Sequence, residues 1–131
     1  MENITAHTAK ENFQTTITSK NHILFADEPV DKGGNNLGPS PKELLAASLG
    51  SCTAITLKMY AQHKQWELQE VIIKVDLEWD SESQSSNFTK NIQLIGNLDD
   101  QQKERLLKIA DRCPVHQILT HSITVTTNLK P

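Results

Sequence analysis

The amino-acid sequence predicts an α+β fold, in which antiparallel strands accompany one long central helix. Alternating apolar and polar residues predict strands near the N-terminus and in the middle of the chain, and a long apolar segment between them has the period of a helix. Strands, helix, strands, helices and strand then follow in an order that favours α+β over a wound parallel sheet. A chain of 131 residues is the usual size of one domain with one core. We therefore expect residues 1–131 to form a single domain.

The chain before the long helix predicts a flexible start, a strand pair and a loop. Residues 1–11 are polar, and we expect them to be flexible. Residues 12–18 alternate and predict a strand, whose partner is predicted at 22–26 across a turn at 19–21. Residues 27–39, DEPVDKGGNNLGP, are rich in the residues that break regular structure and predict a loop.

The long helix has a clear start. Ser40 is a good N-cap, Pro41 suits the first helical position, and Glu43 completes a capping box. We expect the helix to run to about Lys64. An apolar stripe at helical spacing is formed by Leu45, Leu49, Cys52, Ile55, Thr56 and Met59. A second face is thin, with Ala46, Ala47, Gly50, Ser51 and Ala54. A thin face lets another backbone approach closely, which predicts that this helix is central.

A second strand pair is predicted after the helix. Residues 71–79 alternate between apolar and charged side chains, which predicts a strand with one buried face. The polar connector 81–86 leads to a second strand, which carries Phe88, Ile92 and Leu94.

Two helices and a strand are predicted to complete the fold. Asp99 caps a helix that runs to about Arg112, and Pro114 is well placed to start a short helix, PVHQILT. The first of these helices has one apolar face, formed by Leu106, Ile109, Ala110 and Cys113. The spacing of Ile123, Val125 and Thr127 predicts a final strand.

Charge and hydropathy exclude two classes of partner. The net charge is −3, with 13 basic and 16 acidic residues interspersed, so the basic patch of a nucleic-acid-binding protein is missing. The most apolar stretch, residues 44–61, is interrupted by Ser48, Ser51 and Lys58 and cannot supply the ~20 apolar residues that span a bilayer. The N-terminus lacks the features of a signal peptide. We therefore expect a cytoplasmic protein, in which thiols stay reduced.

The two cysteines are the strongest candidates for chemistry. Cys52 lies in the middle of the long helix, where it is equally well explained as a small core residue or as a reactive thiol. Cys113, in the segment CPVH, precedes a predicted helix start, where backbone N–H groups stabilise a thiolate. Packing or capping explains Cys113 equally well. Both lie on apolar helical faces, and if those faces pack together the sulfurs meet. Such a pair needs no cofactor for thiol redox chemistry.

Metal binding is the alternative for the same residues. Cys113, His116 and His121, with Cys52 or His63, form a conceivable zinc ligand set. Zinc sites usually have closely spaced ligand pairs at both ends of the motif, whereas Cys52 stands alone. We therefore expect no metal. The sequence also has no G-x-S-x-G motif that would indicate a hydrolase.

Two segments resemble the OsmC/Ohr family of osmotically inducible and organic hydroperoxide resistance proteins. They are GPSPKELLAASLGSCTAITLKMYA at 38–61 and RLLKIADRCPVH at 105–116, and the resemblance extends over roughly residues 12–129. It is closest to the OsmC-like redox protein branch. The resemblance implies the α+β fold of that family, in an intertwined homodimer with a long central helix. The low apolar content of 37% also fits a subunit that completes its core against a second copy.

The family resemblance implies a thiol peroxidase that needs neither metal nor cofactor and acts on organic hydroperoxides. Cys52 matches the peroxidatic cysteine, and Cys113 matches the resolving cysteine before the proline. In the family the oxidised enzyme is reduced by a dithiol, which is a lipoylated protein in the best-known branch. A non-catalytic protein that binds a small hydrophobic ligand at the dimer interface is the alternative.

This sequence departs from the hydroperoxidases at two positions. They carry a glutamate ten residues before the peroxidatic cysteine, where this chain has Lys42, and Glu43 follows one place later. On a straight helix Glu43 lies on the face opposite Cys52, ~13 Å along the axis. Glu43 remains a candidate site residue, although its capping role explains it without catalysis. The hydroperoxidases also use an N-terminal arginine, whereas the first arginine here is Arg105. The cation that stabilises the thiolate is therefore not identified by the sequence.

Overall fold

The computed structural model describes residues 1–131, which form two compact units, Met1–Ala46 and Ala47–Pro131. The single-domain interpretation of residues 1–131 stays a prediction.

The first unit contains a three-stranded antiparallel sheet in the order β1-β2-β3. The strands are β1 (Thr5–Thr8), β2 (Thr15–Thr18) and β3 (Ile23–Ala26). The predicted β2–β3 pair and its turn are confirmed, with Thr15 opposite Ala26. Residues 1–11 are expected to be flexible, but the structure places 5–8 in β1. A polar segment can pair in this way because the hydrogen bonds of a ladder come from the backbone.

The loop at 27–39 is organised around the buried carboxylate of Asp27. Its Oδ1 accepts hydrogen bonds from the backbone N–H of Glu28 at 2.7 Å and of Phe13 at 3.3 Å, and its Oδ2 accepts one from Leu37 at 3.1 Å. Burial raises the pKa of Asp27, but the backbone hydrogen bonds outweigh it and hold the pKa below its usual value. The loop turns so tightly that a Cβ on Gly34 would collide with the backbone oxygen of Glu28.

We expect Asp27→Asn to lower the urea midpoint of unfolding near neutral pH, because the neutral amide cannot replace a carboxylate that accepts several N–H groups. A carboxylate whose pKa is lower in the folded state stabilises the fold at any pH above its unfolded-state pKa of about 4. This stability is lost as the pH falls through the folded-state pKa. The urea midpoints of wild type and variant should therefore converge as the pH is lowered from neutral to acid. Exposed Asp31 in the same loop supplies the control, Asp31→Asn. Equal midpoints for wild type and Asp27→Asn at neutral pH would contradict the assignment.

The helices and the strand pair predicted between residues 40 and 120 are found, although the first strand of the pair begins at Glu67 and the helix predicted to run to about Arg112 ends at Ile109. Helix α1 covers Pro41–Lys64, and β4 (Glu67–Asp80) pairs antiparallel with β5 (Ser85–Asn97). Helix α2 covers Asp100–Ile109, a 3-10 turn covers Ala110–Arg112, and α3 covers Pro114–Leu119. The predicted capping box at Ser40 and the predicted N-cap at Asp99 are also confirmed, and Asp99 forms a capping box with Gln102.

The face of α1 that enters the core differs from the predicted apolar stripe. Its buried residues are Leu49, Gly50, Thr53, Leu57 and Ala61. Leu57 and Ala61 join a core cluster with Leu68, Leu106, Ile109 and Ala110. From the predicted stripe, Ile55 and Met59 are 54% and 65% exposed. By length and composition α1 also resembles a membrane span, with a mean hydropathy of 1.3 over 18 residues. Core helices of soluble proteins can have the same length and apolar composition.

The predicted final strand at Ile123, Val125 and Thr127 is wrong for the single chain. No strand follows α3, and Ile123, Val125 and Leu129 are all exposed. Alternation alone does not make a strand, because the backbone also needs a hydrogen-bonded neighbour and the apolar side chains need a surface to cover. The single chain provides neither for this segment.

Candidate functional site

The two cysteine sulfurs are bound by consecutive backbone amides in the first turn of α3. Cys113 is the N-cap, and its Sγ accepts a hydrogen bond from the N–H of His116 at 3.3 Å. The Sγ of Cys52, on α1, accepts one from the N–H of Val115 at 3.5 Å. Pro114 has no N–H and suits the first helical position, so these two amides are the first free donors of the helix. The structure thus brings both predicted cysteines to one helix start.

The two thiols differ in their exposure. Cys113 is completely buried, whereas Cys52 is half-buried, and neither forms a disulfide. Cys52 is therefore the thiol that a dissolved reagent reaches more easily.

A buried lysine lies behind Cys113. Lys90 lies on the inward face of β5 together with Phe88 and Ile92, and its side chain is only 9% exposed. Its Nζ donates hydrogen bonds to the backbone oxygen of Ala110 at 2.9 Å and to Nδ1 of His116 at 3.1 Å. It also lies 3.7 Å from Oδ1 of Asp111.

Thr53 connects this lysine to the buried sulfur. Its Oγ1 lies 3.2 Å from Nζ of Lys90 and 3.3 Å from Sγ of Cys113. Thr53 is itself completely buried on the inner face of α1. No buried side-chain nitrogen or oxygen in this structure lacks a hydrogen-bond partner, so the network is closed.

An open cavity of about 430 Å³ lies beside the lysine. Its lining combines apolar and polar side chains, among them Leu49, Phe88, Lys90, Asp111, His116 and Leu119. A cavity of this size and character can hold a small organic molecule.

Glu43 lies in the first unit, where it caps α1. Its carboxylate Oε1 accepts a hydrogen bond from the N–H of Ser40 at 3.0 Å, and its own N–H donates to Oγ of Ser40 at 3.2 Å. The backbone and then the side-chain hydrogen bond with Ser40 lower the pKa of Glu43. The cap accounts for its position, and a role in the site stays a prediction.

The structure assembles no zinc ligand set from the candidate histidines. No group of three or more His, Cys, Asp or Glu side chains is placed to hold a metal ion. Nδ1 of His121 instead lies 2.7 Å from the backbone oxygen of Gln117, and His63 is exposed in the last turn of α1.

Sequence reasoning missed Lys90 and Thr53. Lys90 had a readable signal, since it interrupts the inward apolar series Phe88, Ile92 and Leu94. A charged residue at an inward strand position is unusual unless it is paired. Thr53 had no such signal in the sequence, because a threonine within an apolar helix is common and does not indicate a site.

Comparisons with known proteins agree on one family. A family model described as OsmC-like protein matches residues 33–128, and no curated protein matches the chain. Among solved structures, an OsmC-like protein from Mycoplasma pneumoniae is similar with a TM-score of 0.77 and 19% identity, over 91% of this chain and 86% of that chain. The organic hydroperoxide resistance protein OhrB of Bacillus subtilis is similar with a TM-score of 0.63 and 21% identity, over 92% of this chain and 90% of that chain. An organic hydroperoxide resistance protein OsmC from Legionella pneumophila is similar with a TM-score of 0.63 and 20% identity, over 92% of this chain and 89% of that chain.

Proposed function

This chain belongs to the OsmC-like protein family, and from that premise we propose that it is a thiol peroxidase that reduces organic hydroperoxides. The observation that carries the proposal is the binding of both cysteine sulfurs by consecutive amides of one helix turn. Two thiols held together in this way can form a disulfide without a cofactor. The substrate class is supported by similar solved structures that are named organic hydroperoxide resistance proteins.

Cys52 takes the peroxidatic role, because it is the more exposed of the two thiols. Its thiolate attacks one oxygen of the O–O bond, which breaks to give a sulfenic acid on Cys52 and an alkoxide. The alkoxide takes a proton from solvent and leaves as an alcohol. The sulfur is oxidised by two electrons and the peroxide is reduced by two. The Val115 amide supports the negative charge on this sulfur before attack.

Cys113 takes the resolving role. Its thiolate attacks the sulfur of the Cys52 sulfenic acid, a disulfide forms, and the hydroxide that leaves takes up a proton to become water. Complete burial keeps Cys113 away from peroxide while leaving it beside the residue after Cys52, since Thr53 contacts its sulfur at 3.3 Å. A dithiol, such as a lipoylated protein, then reduces the disulfide by thiol–disulfide exchange. Reduced thiols of this kind are maintained in the cytoplasm, where we place the protein.

We further propose that the protein is a homodimer. Ile55 and Met59 of α1 are 54% and 65% exposed beside a groove of about 510 Å³, and Ile72 of β4 is 50% exposed. An isolated two-stranded sheet has marginal stability and usually needs further strands or a packed surface. A second copy can cover these apolar side chains, and the unpaired segment 122–131 can find its strand partner there.

The first test is a thiol titration with intact mass before and after one equivalent of cumene hydroperoxide. We expect rapid loss of both thiols and a decrease of about two mass units per chain, which is the signature of an intramolecular disulfide. Turnover should follow when a dithiol such as dihydrolipoamide is added in excess. Survival of both thiols for hours would contradict peroxidase function and favour a protein that binds a small hydrophobic ligand.

A further inference from the structure

We propose that Lys90, acting through Thr53, is a positioning residue that holds Cys113 as a thiolate. The proposal rests on the proposed function in so far as Cys113 is the resolving thiol. It adds a cation and a hydrogen-bond relay that the two-cysteine scheme lacks. The relay runs from the ammonium of Lys90 to the hydroxyl of Thr53 and from that hydroxyl to the sulfur.

The direction of the relay follows from a count of donors and acceptors. A lysine ammonium has three donors and no acceptor. Lys90 uses them on the backbone oxygen of Ala110, on Nδ1 of His116 and on Oγ1 of Thr53. The Thr53 oxygen therefore accepts from Lys90, and Sγ of Cys113, which lies 3.3 Å away, is the acceptor within reach of its single proton.

The sulfur of Cys113 thus accepts two hydrogen bonds from different elements. One comes from the Thr53 hydroxyl on α1, and the other comes from the backbone N–H of His116 on α3, also at 3.3 Å. A thiol sulfur is a weak acceptor, whereas a thiolate is a strong one. Burial opposes a charge on this sulfur, and the two donors directed at it act in the opposite direction, toward the charged form.

The charges around the sulfur support the same form. Lys90 is the buried cation of the cluster, and its partner Asp111 is 68% exposed at the side chain, where water weakens its effect. Nδ1 of His116 lies 3.1 Å from Nζ of Lys90 and 3.7 Å from Oδ1 of the same exposed Asp111. Cys52 is the remaining titratable group at this helix start. The nearest full charge with little access to water is therefore positive.

A purely structural role for Lys90 makes a different prediction. In that case the ammonium serves only to satisfy the oxygen of Ala110 at the end of α2, and its removal changes stability but leaves the chemistry of the sulfur alone. The pH dependence of Cys113 reactivity separates the two roles, because a loss of stability changes access to the buried sulfur at every pH, whereas the loss of a nearby cation changes how the rate depends on pH.

The experiment measures alkylation of Cys113 by iodoacetamide in a Cys52→Ser background, so that one thiol reacts and no peroxide is needed. Lys90→Met keeps the length of the side chain and removes the charge, and Thr53→Val keeps the shape and removes the hydroxyl. Thr53→Ser restores the hydroxyl. Lys74→Met, at an exposed position of β4, is the matched control. Rates are followed by intact mass from about pH 6 to about pH 9.5.

For each variant the ratio of the alkylation rate at about pH 7 to that at about pH 9.5 is compared with the ratio of the Cys52→Ser parent. We expect Lys90→Met and Thr53→Val to lower this ratio by about tenfold. The ratio of the two rates cancels the effect of burial on access. Thr53→Ser and Lys74→Met should retain the ratio of the Cys52→Ser parent. A retained ratio in both Lys90→Met and Thr53→Val would overturn the proposal.

Two further outcomes are also decisive. If Lys90→Met fails to fold by circular dichroism, Thr53→Val alone decides, because it leaves the ammonium in place and removes only the relay. If wild type consumes no peroxide but the ratio still depends on Lys90 and Thr53, the peroxidase proposal fails and the thiolate relay stands.

Discussion

Cys52→Ser is expected to abolish hydroperoxide reduction, with a loss of about a thousandfold or more in kcat/KM. A serine hydroxyl in place of the thiol is a far weaker nucleophile toward the O–O bond, and Cys113 is too buried to take its place. Consumption of cumene hydroperoxide with excess dihydrolipoamide measures the loss. The substitution is small and conserves shape, so we expect the fold to remain intact by circular dichroism.

Cys113→Ser is the matched variant, and its expected behaviour is different. The first oxidation should proceed, but without the resolving thiol the Cys52 sulfenic acid should accumulate and be trapped by dimedone. A dimedone adduct on Cys52 in this variant, and no adduct in Cys52→Ser, supports the assigned order. An adduct on Cys113 in Cys52→Ser, formed as fast as oxidation of wild type, would reverse the two roles.

The parts of the fold that the sequence predicts are those decided over a few neighbouring residues. The capping box at Ser40 and the N-cap at Asp99 depend on side chains within one helical turn, and both form as expected. The hairpin of β4 and β5 depends on alternation and a polar connector, and its register places Ile73 opposite Ile92. The helix start at Pro114 likewise follows from proline chemistry.

What the sequence does not predict depends on contacts between distant elements. The helical period allows more than one apolar face on α1, and only the packing of the second unit selects the face with Leu57 over the face with Met59. Lys90 becomes part of the site only because β5 brings it beside Thr53 and Cys113, 37 and 23 residues away along the chain. The position of Lys90 in the sequence therefore does not predict these contacts.

The double substitution of Ile55→Glu and Met59→Glu is expected to convert a dimer into a monomer. Gel filtration with light scattering should give wild type twice the chain mass and the variant one chain mass. Burying a carboxylate without a partner costs several kcal/mol for each group, about enough for two to dissociate a dimer of micromolar affinity. Val30→Glu adds a charge at an apolar position that is 72% exposed, and it should leave the mass unchanged. A wild type that elutes as a monomer would contradict the dimer outright.

The same monomeric variant distinguishes what each chain contributes to the chemistry. The cysteines, Thr53 and Lys90 are all supplied by one chain, so the monomer should keep the Cys113 alkylation profile of the dimer. If peroxide consumption nevertheless falls with dissociation, the partner must supply a group for the peroxidatic step, and Glu43 is the residue to replace next. Glu43→Gln keeps an oxygen acceptor for the N–H of Ser40, so the cap on α1 should survive. A loss of activity in folded, dimeric Glu43→Gln would then assign the carboxylate to catalysis, and unchanged activity would leave it with the cap alone.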